Sequence, residues 1–151
     1  MKALSRTVTW IDGEIITERE ARDVVLVTGE PGMTMTFSRY APGERGPDLH
    51  VHREHTDAFT VLEGVLTVRL GPAGDPLRLG PGSFVAVPPG VVHGFGNDGP
   101  DEARWLNLHA PDTGFANYMR GLRDRERVPF DQFEPPADGG RPVSDVVIHR
   151  A

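Results

Sequence analysis

The sequence predicts an all-β sandwich or barrel that carries a single helix near its C-terminal end. Three observations support this. From Thr7 to Leu108 the chain is a succession of short β-rich runs cut by Gly, Pro and Asp, with no helical pattern between runs of the kind βαβ units require. Within the runs, apolar and polar residues alternate with a period of two. The 18 Gly and 14 Pro gather largely between the runs, where corners need fixed or positive φ.

Along the chain, Met33, Met35 and Phe37 alternate with Thr34, Thr36 and Ser38, the pattern of a half-buried strand. Asp57, Phe59 and Val61 share one face of the run Asp57 to Leu62, and Leu66, Val68 and Leu70 alternate with Val65, Thr67 and Arg69. Corners are marked by Glu63-Gly64, Gly71-Pro72-Ala73-Gly74-Asp75-Pro76, Gly80-Pro81-Gly82, Pro88-Pro89-Gly90 and Asn97-Asp98-Gly99-Pro100. Phe59, Phe84, Phe95 and Trp105 are expected to line the interior, as core or as pocket wall. After Pro111, Asp112 or Thr113 can cap a helix whose Phe115, Met119 and Leu122 fall at i, i+4 and i+7, with Tyr118 beside them. Arg123 to Pro142 is charged and then rich in Pro and Gly. It reads as an ordered coil or lid, or equally as a disordered tail, before a last strand at Val143 to His149.

The 151 residues suit one domain, with a barrel core over about 23–110 and a helix and C-terminal extension over 111–151. The absence of cysteine removes disulfides, thiolate metal sites and thiol nucleophiles together, so any metal has to be held by His and carboxylates. A formal net charge of −6 argues against a phosphate-backbone binder, so nucleic acid is not an expected partner. The N-terminus turns polar early, and no apolar stretch approaches the roughly 18 residues of a membrane span. The expectation is a cytoplasmic protein with no membrane partner.

Three of the six histidines, His50, His52 and His55, lie within six positions of one another. If Leu49 to Arg53 is extended, His50 and His52 project from one face with Cα atoms roughly 6–7 Å apart, close enough for two imidazoles to meet at one ion. His55 has the opposite parity. Asp57 opens the next strand, and a hairpin back against the His-x-His run would bring its carboxylate near. Far along the chain, His93 follows a tight Pro-Gly turn and precedes Asn97 by four positions.

These residues resemble the two signature motifs of the cupin superfamily, over about positions 43 to 97. His50, His52, Asp57 and Gly64 fit the first motif, and Gly82, Pro88, Gly90, His93 and Asn97 match every position of the second. The glycine that opens the first motif would fall at Glu44, between Gly43 and Gly46, and Asp57 stands where the motif has Glu.

The resemblance implies a double-stranded β-helix, a small jelly-roll barrel with a metal inside one end and coordination positions open toward the mouth. His50, His52, His93 and Asp57 would hold one divalent transition metal ion per chain, either Fe, Mn, Ni, Cu or Zn. Asp57, shorter than Glu by one methylene, would ligate directly or orient a ligating histidine. His55 is an exposed loop or rim residue, or else a substitute ligand or base. His109 ends a strand as an acid, base or extra ligand in the cavity, or lies at the surface. His149 has no assigned role.

The activity so implied is that of a metal-dependent enzyme on a small organic substrate bearing an enol, carbonyl or aromatic group. A dioxygenase similar to the quercetinases, with Asp57 as base, stands first. A non-redox polyketide cyclase or isomerase in which a histidine takes the α-proton is the alternative, and a small-molecule binding or sensing barrel is the third reading. The resemblance also implies a homodimer, with Thr7 to Ile11 and Asp23 to Thr28 as candidate pairing edges. Should the C-terminal coil cover the mouth, Phe130 and Phe133 would exclude water from the metal.

Overall fold

The computed structural model describes residues 11–151. Its strands are β1 (Glu14–Glu18), β2 (Arg22–Glu30), β3 (Met33–Tyr40), β4 (Thr56–Glu63), β5 (Leu66–Leu70), β6 (Asp75–Leu79), β7 (Phe84–Val87), β8 (His93–Gly96), β9 (Ala103–Ala110) and β10 (Val147–His149). A helix, α1 (Phe115–Asp124), follows β9, and a 3-10 turn at Val143–Asp145 precedes β10. All pairings are antiparallel. One sheet runs β1-β2-β3-β9-β4-β7-β10 and the other β6-β5-β8, the two-sheet form of a double-stranded β-helix.

The period-two alternation has the expected result in β4 and β5, whereas in β3 it is the polar Thr34, Thr36 and Ser38 that turn inward, with Met33 and Met35 only half-buried. β3, β4 and β9 are neighbours, and their register sets Thr36 against Asn107, Ser38 against Trp105, Asp57 against His109 and Val61 against Trp105. β4 and β9 therefore each have a polar end, Asp57 on one and Asn107 with His109 on the other, and an apolar end, while β3 lines the chamber with Thr36 and Ser38 before Tyr40 joins the apolar cluster. At the apolar end Phe59, Val61, Leu66, Val68, Leu79, Val85, Val87 and Trp105 form one dry cluster. Full burial of each such side chain contributes about 1.5–3 kcal/mol, so the stability of the fold is concentrated away from the polar chamber.

The corners fall where the Gly and Pro clusters place them. At Gly64 φ is +71° and a Cβ would run into the Glu102 carbonyl, so no other residue fits the β4–β5 turn. The displaced glycine of the first motif is accounted for by Gly46. A side chain there would collide with the Phe95 carbonyl oxygen, which accepts the Gly46 N–H at 3.1 Å.

Several expectations are corrected. Leu49 to Arg53 does not form a hairpin with the strand after it, because β7 and β9 occupy both edges of β4. Phe84 points to the outer face, 6.5 Å from the His149 ring, because Val85 and Val87 take the inward positions of β7. Asp23 to Thr28 is not an edge, since β2 lies between β1 and β3. Of the other candidate edge, residues 7–10 lie outside the described residues. The final strand is confined to Val147–His149. Of the segment from 123 to 142, Arg123 and Asp124 end the helix and the rest is ordered coil, pinned where Val51 and Phe133 exchange two backbone hydrogen bonds of 2.9 Å.

Candidate metal centre

The His-x-His run is held from the second sheet. His50 and His93 exchange backbone hydrogen bonds at 3.0 and 2.9 Å, and the Gly90 N–H donates to the His52 carbonyl at 2.7 Å. The Pro-Gly turn before β8 thus fixes both halves of the histidine set. The three rings come together with centroids 4.5 to 5.0 Å apart. One ligand atom from each of His50, His52, Asp57 and His93 lies within 4.8 Å of every other, and all four residues are buried.

Hydrogen bonding decides which nitrogen of each ring faces the cluster. Backbone carbonyls can only accept, so Nδ1 of His50 donates to Asp48 at 2.7 Å, Nδ1 of His52 to Asp131 at 2.7 Å and Nδ1 of His93 to Val91 at 3.0 Å. In the neutral rings Nε2 then carries a lone pair. Two of these lone pairs point at one carboxylate oxygen, Oδ2 of Asp57, at 2.9 Å from His93 and 3.3 Å from His52.

Acceptor against acceptor in a dry site requires positive charge between them, from protons on the rings or from a cation. Burial opposes protonation and, with His93 adding to it, pushes His50 down to about 4. Three fixed imidazole lone pairs and one carboxylate match the donor set of a divalent transition ion, whose bonds run about 2.0–2.2 Å. The carbonyls behind each Nδ1 are the outer contacts that orient metal-binding histidines.

Asp57 is fully enclosed. Burial alone would push its carboxyl up, and only where the His109, His52 and His93 rings carry charge or donate to it is the group held well below the usual carboxylate range. Its Oδ1 accepts from the Asn107 amide at 2.6 Å, and the same amide nitrogen donates to the Ala58 carbonyl at 3.0 Å. Asn107 therefore aims the carboxylate. The sequence reading missed Asn107, although it shares the parity of His109 on β9.

His55 and His109 are both buried, which corrects the expected exposure of His55, still in its loop before β4, and removes the surface alternative for His109. They form a second hydrogen-bonded line. His55 Nδ1 is 2.8 Å from the Asp131 carboxylate and 3.0 Å from Thr113 Oγ1, and its Nε2 is 2.9 Å from His109 Nδ1. Burial alone would push the Asp131 carboxyl up, but N–H donors from Arg53 and Glu54, together with His55, hold it below its ordinary value. An ionised Asp131 can only accept, so His55 donates from Nδ1 and accepts at Nε2. His109 must then donate from Nδ1, which leaves its Nε2 lone pair 3.6 Å from Asp57 Oδ1. Burial pushes His109 down to about 3, so it is neutral. His52, His55 and His109 also lie close enough to hold an ion, but the lone pair of His55 is already used by His109.

Phe115 of α1 stacks on His109 with centroids 3.6 Å apart. Phe130 packs against His52, His55 and His109 at 5.3 to 5.9 Å, while Phe133 lies half-exposed beneath the Arg53 guanidinium at 3.7 Å. Of the two expected water excluders, Phe130 has that position. A cavity of about 300 Å³ opens beside the cluster. It is lined by His50, His52, Asp57, Asn107 and His109, by the hydroxyls of Thr36 and Ser38, and by an apolar group that includes Ile16, Val24, Phe115 and Met119.

Fold and site together define a small β-barrel with a buried histidine and carboxylate cluster at its polar end. The chain belongs to the cupin superfamily: residues 36–109 match the family described as Cupin domain, and solved cupins share the fold. KdgF from Halomonas sp. is 23% identical with a TM-score of 0.56, over 66% of this chain and 89% of that one. A putative sugar phosphate isomerase from Acidithiobacillus ferrooxidans is 23% identical with a TM-score of 0.57, over 70% and 72%. The polyketide cyclase RemF from Streptomyces resistomycificus is 20% identical with a TM-score of 0.52, over 68% and 70%. Likeness at these identities is one of fold. No curated protein matches the chain. No helix among the described residues is long and apolar enough to cross a membrane.

Proposed function

We propose that the chain is a metal-dependent enzyme that moves a proton on a small organic substrate bearing a carbonyl or enol, in the manner of an isomerase or cyclase. The observation that carries this reading is the His109 Nε2 lone pair, directed at the ligand cluster and backed through His55 by an ionised carboxylate. A divalent ion held by His50, His52, His93 and Asp57 would supply Lewis acidity to a substrate oxygen.

The side chains supply the rest. His109 accepts the proton at Nε2, and the line through His55 to Asp131 partly offsets the burial that holds the free ring at about 3. Phe115 and Phe130 keep water from that nitrogen, and the apolar lining receives the hydrocarbon part of the substrate. The volume, near the lower end of the ligand-pocket range of about 300–1,000 Å³, favours a compact substrate.

The dioxygenase reading gave the base role to Asp57. That role has weaker support, because the lone pairs of Asp57 already face Asn107, His52 and His93. The test offers enolisable carbonyl compounds in deuterated buffer and follows carbon-bound deuterium and dissolved oxygen together. Deuterium incorporation or isomerisation without oxygen uptake is expected. His109→Gln should retain the metal and lose about 10²–10⁴ in rate, the usual contribution of a positioned base. Oxygen uptake in step with turnover would restore the dioxygenase, and saturable binding without turnover would indicate a sensing barrel.

A further inference from the structure

We propose that Asp131, in the coil beyond α1, is a positioning residue that decides whether His109 meets the substrate as a base or as a donor. The inference rests on the reading of His109 as the proton-accepting group. Asp131 is absent from the cavity lining and acts through His55.

The argument follows the direction of each hydrogen bond. The Asp131 carboxylate accepts the N–H groups of Arg53 and Glu54 at 2.9 and 2.7 Å, and with His55 Nδ1 at 2.8 Å this leaves it no hydrogen to offer. His55 then has to turn an acceptor toward His109, and His109 has to turn its own lone pair toward the cluster. A neutral amide at position 131 removes that compulsion. Its NH₂, standing in place of Oδ2, can donate to His55 Nδ1 at the loss of the acceptor for the Glu54 N–H, whereupon His55 carries its hydrogen on Nε2 and His109 carries its own on Nε2. The same ring in the same place would then present an N–H to the substrate.

Asp131 has a second, separable attachment to the site. Its backbone carbonyl accepts from Nδ1 of the metal-binding candidate His52 at 2.7 Å. A side-chain substitution leaves that carbonyl in place, so tautomer control and metal binding can be read apart.

The experiment records histidine ring-nitrogen NMR spectra of the full chain, metal-free and loaded with zinc, without substrate. In the wild type, His55 and His109 should both be protonated at Nδ1 and unprotonated at Nε2. Asp131→Asn should reverse both while His50, His52 and His93 remain protonated at Nδ1. Zinc affinity should stay within about threefold, and kcat should fall about 100-fold with KM nearly unchanged, as for a group that acts only in the transition state. Should Asp131→Asn fail to fold, the wild-type tautomers decide alone. His109 protonated at Nε2 in the wild type, or tautomers unmoved in a folded Asp131→Asn, would overturn the inference. Because these spectra need no substrate, a zinc-loaded chain inactive on every carbonyl compound counts against the proposed function and not against the tautomers, whereas a wrong tautomer leaves metal content and turnover as they were.

Discussion

Asp57 stands where the family motif has Glu, and its reach is set by backbone placement. The second residue of β4 is held in register against His109 and Val87 by strands on both sides, which brings the shorter carboxylate to within 2.9 Å of His93 Nε2. In this closed site an added methylene is a burden, so Asp57→Glu should cost about 1–3 kcal/mol of stability in chemical denaturation. Purified wild type should carry close to one equivalent of a divalent transition metal, and His52→Ala or His93→Ala should strip most of it, as measured by elemental analysis. Wild type prepared with ample metal yet containing none would refute the centre. The motif spacing made His50, His52 and His93 legible in the sequence, because a fixed spacing around a tight turn leaves few geometries. Asp131 was not legible. It meets His55 across 76 positions from a coil without periodicity.

At the level of elements, α1 matters for its first turn. Gly114, with φ +91°, precedes the helix, and the cap comes from Asp112, whose carboxylate accepts the Gly114 and Ala116 N–H groups at 3.0 and 3.1 Å and a hydrogen bond from Thr34. Asp112→Ala should cost about 0.5–2 kcal/mol, the usual loss for an N-terminal cap. Because Phe115 begins the helix and stacks on His109, the same variant should broaden the His109 ring signals while those of His93 stay sharp. Unchanged stability and unchanged spectra would show that the helix start is held by other contacts. The helix and most strands were readable because their periods are local. The mistaken hairpin shows where that ends: alternation reveals which face of a strand is buried but says nothing about which neighbour takes each edge.

For the whole molecule, the stored neutral imidazoles set the response to acid. His50 sits at about 4 and His109 at about 3 in the fold, against about 6.5 in an unfolded chain. Below pH 6.5 the unfolded chain therefore binds more protons than the folded one, and stability is lost as the pH is lowered. The contribution is complete above about 6.5, declines at up to about 1.4 kcal/mol per pH unit for each ring, and is spent near 4 for His50 and near 3 for His109. Urea titrations of the metal-free protein from pH 8 to 4 should show a plateau and then this decline. A flat profile would mean that the rings are already charged or solvated in the fold.

The division of β4 and β9 into a polar and an apolar end has one more consequence. Asp57, Asn107 and His109 share their strands with Phe59, Val61 and Trp105 of the apolar core but sit at the opposite ends. A substitution in the chamber can alter ligands, tautomers or cavity shape while Phe59, Val61 and Trp105 remain undisturbed. Such a barrel can change its reaction by point mutation at a cost confined to the chamber, with its apolar core left to hold the fold, a property that suits it to serve as a common chassis for unrelated activities.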